Sequence, residues 1–271
     1  MSGKVYLVGA GPGDPELLTV KALRLLRTAH VVLHDDLVST EVLKLISPNA
    51  EVQNVGKRCG NKTVRQEEIN FLMVALAASG LQVVRLKSGD PLIFGRAGEE
   101  IEALRQANVE YEIVPGVTSA LGAAAATGIP LTHRRASSSL LITAGHLASG
   151  KDDDDWGRFA ASQTTLVVYM PGSSYDEISS RLKAAGFAEE TPCAIISRAT
   201  TREQRVLRTT VADLRRAPQL PSPTLLVVGE VVKFADNSLV EEASTPDAIE
   251  RVEVAFSLPA QSSVKNAEPL R

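Results

Sequence analysis

Lys4-Val5-Tyr6-Leu7-Val8-Gly9-Ala10-Gly11-Pro12-Gly13-Asp14-Pro15 is a short apolar run that breaks into glycines and ends in an Asp-Pro pair. The run predicts a buried strand, the glycines a tight turn, and Asp14-Pro15 a helix start. Asp caps free backbone N–H groups, and Pro suits the first helical position. Leu18, Ala22, Leu25 and Ala29 follow at helical spacing. The alternation continues outward from there. Strands are expected at Val31–Leu33, near Val52–Val55, and at Val83–Leu86 and Tyr111–Val114. Helices are expected near Thr40–Ile46, at Gln66–Ser79 with Gly80 as its stop, and at Gly98–Ala107. Such a series predicts parallel strands joined by helical crossovers.

A second α/β series follows the Ala- and Gly-rich stretch Thr118–Thr127. It comprises strands at Leu140–Thr143, Leu166–Met170, Cys193–Ser197, Arg205–Thr209 and Thr224–Val232, with helices at Tyr175–Ala185 and Val211–Arg216. We therefore expect an N-terminal α/β domain over 1–118, a C-terminal α/β domain over 119–237, and a flexible tail over 238–271, where apolar periodicity fades. The composition is 44% apolar and 23% charged, enough for a buried core. A net charge of −3 argues against a protein that coats nucleic acid or an anionic membrane. Apolar runs are strand-sized, so no membrane span is expected. The two cysteines, Cys59 and Cys193, form no disulfide framework, and no signal-peptide layout opens the chain, which suits the cytoplasm.

In open α/β sheets ligands sit beyond the carboxyl ends of the strands. The loops expected there are Gly9–Asp14, His34-Asp35-Asp36, Gly56-Lys57-Arg58, Lys87-Ser88-Gly89-Asp90-Pro91 and Pro115-Gly116-Val117-Thr118-Ser119. The first is not a dinucleotide cradle. Its spacing is G-x-G-x-G, and Pro12 removes a backbone donor. A carboxylate such as Asp35 at a strand end can accept a proton, and Lys57 can steady it or pass a proton. The bland reading of that pair is a solvated turn Asp and a surface Lys. Arg58, Lys87, Arg96, His133, Arg134 and Arg135 form a basic set fit for a polycarboxylate, or else scattered surface charge. The Asp152–Asp155 run lacks a calcium-loop pattern and reads as a solvated loop. His30, His34, His133 and His146 lack metal-ligand spacing, so no metal is expected.

Taken in order, these loops resemble the tetrapyrrole methylase family. The resemblance is carried by Val8–Pro15 with Leu17-Leu18-Thr19, by Asp35 with Leu37-Val38-Ser39, and by Gly56-Lys57-Arg58 followed by Gln66–Asn70. It continues through Arg85–Pro91, Ile93–Arg96, Gly98-Glu99-Glu100, Val114–Ala120 and Gly128–Arg134. Thr143–His146, Tyr169-Met170, Ser222-Pro223 and Val228-Gly229 extend it more thinly, so that it spans about residues 3–235. Each motif is weak alone; eight in sequence order are specific. Ser88 stands where glycine is usual in the nearest relatives, His34 where tyrosine is frequent, and Ala199 where glycine is frequent.

The resemblance implies two α/β domains with the active site in the cleft between them, and S-adenosyl-methionine as methyl donor, leaving S-adenosyl-homocysteine. It implies that Pro12, Ser88, Gly89, Asp90, Ile93, Thr118, Ser119, Met170, Ala199, Thr224 and Gly229 bind the cofactor. Asp35 is the implied proton acceptor and Lys57 the proton donor or carboxylate ligand, with Arg58, Lys87, Arg96, His133 and Arg134 toward the substrate. The implied reaction is successive methylation of uroporphyrinogen III at C2 and C7, giving precorrin-2 for sirohaem or cobalamin biosynthesis. A cytoplasmic homodimer is implied too. Other activities weighed against it are methylation of a later precorrin, a non-catalytic S-adenosyl-methionine-binding module, and a dinucleotide-dependent oxidoreductase, the last disfavoured by Pro12.

Overall fold

A computed structural model describes residues 3–56, 64–145, 163–172, 175–239 and 241–242. Lys57, Arg58, Cys59, His146 and Asp152–Asp155 lie outside the described residues, as does the chain beyond Glu242. The described residues form two sheets.

The first sheet contains β1 (Lys4–Gly9), β2 (Val31–His34), β3 (Glu51–Asn54), β4 (Gln82–Lys87) and β5 (Glu110–Val114) in the order β3-β2-β4-β1-β5. Every pairing is parallel. The crossovers run through α1 (Val20–Thr28), α2 (Thr40–Leu43), α3 (Gln66–Ala78) and α4 (Ala97–Gln106). Both faces of β1 and β4 are buried. Val8, Val84 and Leu86 pack with Leu25, Leu26 and Val42 on one side, while Val5, Leu7 and Val83 pack with Ile69, Met73 and Leu104 on the other. That double burial explains the continuous apolar runs of parallel strands. In register, Gly9 faces Lys87 and Val8 faces Val114, so all the carboxyl ends emerge on one edge.

The second sheet contains β6 (Ser139–Ala144), β7 (Thr164–Tyr169), β8 (Pro192–Ser197), β9 (Arg205–Thr210), β10 (Thr224–Val228) and β11 (Glu241–Glu242) in the order β11-β9-β8-β10-β7-β6. It is mixed: β6 and β7 are parallel, while β10 runs antiparallel to both β7 and β8. Between the sheets, α5 (Ser119–Thr127) buries Ala120 and Ala123 against Val167, Ile196 and Val227, so this helix packs on the second sheet. On the opposite face, α6 (Tyr175–Ala184) buries Ile178 and Leu182 against Leu166, Ile195 and Leu226. Among the described residues, no helix is long and apolar enough to cross a membrane.

Three elements differ from the sequence expectation. Asp14 caps only a 3-10 turn, Pro15–Leu17, accepting from Glu16 N at 2.9 Å. Leu18 is extended, and α1 begins after Thr19, whose hydroxyl accepts from Ala22 N at 3.1 Å. A second capping side chain inside the apolar spacing restarts the helix. The expected strand Thr224–Val232 stops at Val228 because Gly229 adopts φ +135, and Glu230–Phe234 winds into a 3-10 helix. The expected helix Val211–Arg216 contracts to a 3-10 turn, Leu214–Arg216. Where the expected tail begins, Asn237–Leu239 form a 3-10 turn, and within it Glu241–Glu242 pair with β9.

Candidate functional site

Three glycine loops close on one another where β1, β4 and β5 end. Ala10 N donates to Lys87 O at 2.7 Å, and Gly11 and Gly89 exchange N–H···O bonds of 3.2 and 2.8 Å. A Cβ on Gly116 would stand 2.3 Å from Gly89 O and 2.8 Å from Gly9 Cα, so these backbones touch only because side chains are missing. Gly89 itself needs φ +67, a left-handed conformation suited to glycine. The Asp90 carboxylate holds the arrangement. One oxygen accepts from Leu92 N at 2.9 Å, and the other from Gly116 N at 3.0 Å. Pro12 lies over α5, where a Cβ on Gly122 would come within 2.5 Å of its ring.

The second sheet contributes the facing wall. The phenol oxygen of Tyr169, at the end of β7, lies 2.5 Å from Thr118 Oγ1 and accepts from Ala120 N at 2.8 Å, capping the start of α5. Burial pushes this phenol's pKa up. Its ring meets Phe94 at a centroid distance of 5.1 Å. The Asp14 N–H donates to Thr200 Oγ1 at 3.1 Å, a second tie between the β1 loop and the loop after β8. Phe94 and Met170 both adopt positive φ, 52 and 48, a strain that concentrates at functional sites. Tyr169→Phe keeps the ring contact but orphans the Ala120 N–H. We expect a loss of about 1–2 kcal/mol, measured as a lower Tm. An unchanged Tm would show that this bridge does not hold the two walls together.

Between the walls lies a cavity of about 350 Å³. Of the expected cofactor contacts, Pro12, Ser88, Gly89, Asp90, Ile93, Thr118, Ser119, Met170, Ala199 and Thr224 line it, as does Asp35. Gly229 does not. Because β10 runs antiparallel to β7, Thr224 stands at the cavity end and Gly229 at the far end beside Thr164, roughly 16 Å along the strand at about 3.3 Å per residue. His133 and Arg134 also lie away from it. They sit in the turn that enters β6, with His133 N donating to Ser137 O at 2.8 Å and the imidazole stacked 4.1 Å from Phe234. Arg96 is exposed and bidentate with Glu99, at 2.8 Å for both contacts. Sequence reasoning did not single out Leu37, Phe94, Tyr169, Ile196 or Leu225 as lining residues.

Lys87, expected among the substrate cations, lies beneath the cavity in a buried ionic group. Glu100 Oε1 accepts from Arg85 Nε at 2.9 Å and from Lys87 Nζ at 3.0 Å. Arg85 Nη2 donates to Asp35 Oδ1. Arg85 Nη1 donates to Leu33 O at 3.3 Å. Lys87 Nζ stands 3.7 Å from Asp35 Oδ2. The Arg85 side chain is 2% exposed and Glu100 0%, whereas that of Asp35 is 29% exposed and reaches the cavity. Burial and then the neighbouring Arg85 charge lower the Lys87 pKa. Burial would also lower that of Arg85, but Asp35 and Glu100 together outweigh it and raise the value. The sequence signal was present: Arg85 interrupts the apolar run of β4, and a charge there requires a buried partner.

The family of tetrapyrrole (corrin/porphyrin) methylases matches residues 4–215. A curated relative, siroheme synthase 1 of Yersinia enterocolitica, is 48% identical over 255 residues, covering 91% of this chain and 54% of that protein. The chain thus spans about half the length of the curated relatives it matches. Among solved structures, the native form of uroporphyrin III C-methyl transferase from Thermus thermophilus is 42% identical. It has a TM-score of 0.75, with 85% of this chain and 99% of that one covered. The same Thermus thermophilus enzyme complexed with S-adenyl homocysteine gives the same identity, coverage and TM-score.

Proposed function

This chain belongs to the tetrapyrrole methylase family, and on that premise we propose that it is a uroporphyrinogen-III C-methyltransferase, using S-adenosyl-methionine to form precorrin-2 by methylation at C2 and C7. The observation that carries this reading is the placement of Asp35. Its partly exposed carboxylate lines the same cavity as the glycine loops and Met170, so a proton acceptor and a methyl-donor pocket share one space.

The residues fit the donor. The close approach of Gly9, Gly89 and Gly116 brings the β1, β4 and β5 loops into backbone contact beside the cavity. Ile93, Met170, Ile196 and Leu225 give it apolar walls, and Ser88, Thr118, Ser119 and Thr224 supply hydroxyls. When bound, S-adenosyl-methionine supplies a sulfonium methyl electrophilic enough to need no metal. The chain then has to hold the macrocycle in line and remove one proton per transfer. Leu37, Phe94 and Met170 offer an apolar rim for a macrocycle. Asp35 takes the proton. Lys57 serves as proton donor or carboxylate ligand, and Arg58 and Arg96 bind substrate carboxylates. His133 and Arg134, remote from the cavity of their own chain, act on substrate only if it extends well beyond that cavity. The family resemblance supports a homodimer, and a free, buried Cys193 suits a reducing cytoplasm.

Offered uroporphyrinogen III and precorrin-2 separately under anaerobic conditions, the protein is expected to consume the first and leave the second unmethylated. Preference for precorrin-2 would move the assignment to a later step of cobalamin synthesis.

A further inference from the structure

We propose that Arg85 and Glu100 are positioning residues that aim Asp35 and leave its Oδ2 as the proton-accepting atom. The inference rests on the assignment of Asp35 as the base. Arg85 Nη2 occupies Asp35 Oδ1, while Nε of the same guanidinium is fixed by Glu100 at 2.9 Å. Its Nη1 is fixed by the Leu33 carbonyl at 3.3 Å. All three guanidinium nitrogens are engaged, so the planar fork sets the Asp35 carboxylate relative to β2, β4 and α4 at once. Asp35 Oδ2 has a different environment. Among the described residues its nearest cation, Lys87 Nζ, is 3.7 Å away and is instead bonded to Glu100 at 3.0 Å. Glu100 therefore restrains both cations: it orients Arg85 and draws Lys87 off Oδ2. Among the described residues, Oδ2 therefore accepts no hydrogen bond and stays open toward the cavity to take a proton.

Charge works in the same direction. Behind Asp35 stand Arg85 and Lys87 from β4 and Glu100 from α4, one net positive charge. Asp36 follows on the same turn, its Oδ1 accepting from Asn54 Nδ2 at 3.0 Å. The His34 imidazole contacts the Asp35 carbonyl at 3.0 Å. From α3 comes only the neutral amide of Gln66, 3.4 Å from Glu100. Loss of Arg85 removes that net positive charge together with the fork that holds Asp35.

A double-mutant cycle tests this in the intact chain, using S-adenosyl-methionine and uroporphyrinogen III for turnover and S-adenosyl-homocysteine for binding. Arg85→Lys keeps the charge but loses the fork. We expect kcat to fall about 10- to 100-fold, as for other misplaced catalytic groups, with cofactor affinity unchanged. Arg85→Gln, which loses both charge and fork, is expected to lower kcat at least as far, again with cofactor affinity kept. In an Asp35→Ala background, neither change should lower kcat further. Glu100→Gln, nearly isosteric, is the variant to read if the Arg85 variants do not bind cofactor. It should lower kcat in the wild-type background and not in Asp35→Ala. Additive losses in the Asp35→Ala background, or full kcat in Arg85→Lys, overturn the proposal. Full kcat in Asp35→Ala alone overturns the base assignment instead, so the two failures are distinct.

Discussion

Asp35→Ala is expected to lower kcat by about 10²- to 10⁴-fold, the usual contribution of a positioned base, while cofactor affinity stays close to that of the wild type. The split follows from the geometry. Asp35 reaches the cavity from the end of β2, but the residues forming the donor pocket hang from β1, β4, β5 and the second sheet. The loops that close the pocket are held by backbone bonds and by Asp90, none of which involves the Asp35 side chain. Removing the Asp35 carboxylate leaves Arg85 without one partner, yet Glu100 still holds that guanidinium. Parallel titrations of wild type and variant with S-adenosyl-homocysteine, beside steady-state turnover, check the split. Equal loss of binding and turnover, or no loss of either, would refute the role of Asp35 as base.

Gly116→Ala is expected to destabilise the chain by about 3 kcal/mol or more, at or above the usual cost of overpacking. The new methyl would stand 2.3 Å from Gly89 O, 2.8 Å from Gly9 Cα and 3.0 Å from Gly9 C. These are backbone atoms in paired strand ends, so relief requires the β1, β4 and β5 loops to part. Parting them also breaks the Gly116 N–H bond to Asp90. Cofactor affinity should therefore fall together with Tm, by roughly 6 °C or more at about 2–4 °C per kcal/mol for a chain near this size. Thermal unfolding with and without S-adenosyl-homocysteine measures both. A wild-type Tm and a wild-type ligand-induced shift would show that the glycine contact is dispensable. Gly98→Ala is the matched control, since a Cβ there meets nothing within 4 Å.

Much of this site was legible in the sequence because parallel sheets bring their loops to one edge. Once the βα alternation from Lys4 to Val114 is recognised, Pro12, Asp35, Ser88–Asp90 and Thr118-Ser119 must share that edge whatever their separation along the chain. The mixed sheet was harder. Strand direction is not encoded in apolar periodicity, so the antiparallel run of β10, which sets Gly229 at the end away from the cavity, is not legible there. Lys87 illustrates a different limit. Its place after β4 is legible, but whether a side chain at a strand end turns to solvent or inward depends on partners from other elements. Here Glu100 on α4 draws it inward. Arg85 could have been singled out as a charge inside an apolar strand, although its link to Asp35 needs the β2–β4 pairing. Thr19 hid a second helix start within a regular apolar spacing, because capping by a single hydroxyl overrides a pattern that periodicity alone would continue.

The central claim is that the cavity between the two sheets transfers methyl groups to a tetrapyrrole carbon. The most direct measurement is anaerobic incubation of the purified chain with methyl-labelled S-adenosyl-methionine and uroporphyrinogen III, followed by mass analysis of the macrocycle. The account predicts a product carrying two labelled methyl groups, with S-adenosyl-homocysteine released in the same ratio. Cofactor bound but no label on the macrocycle would contradict it, and would leave a binding module in place of an enzyme.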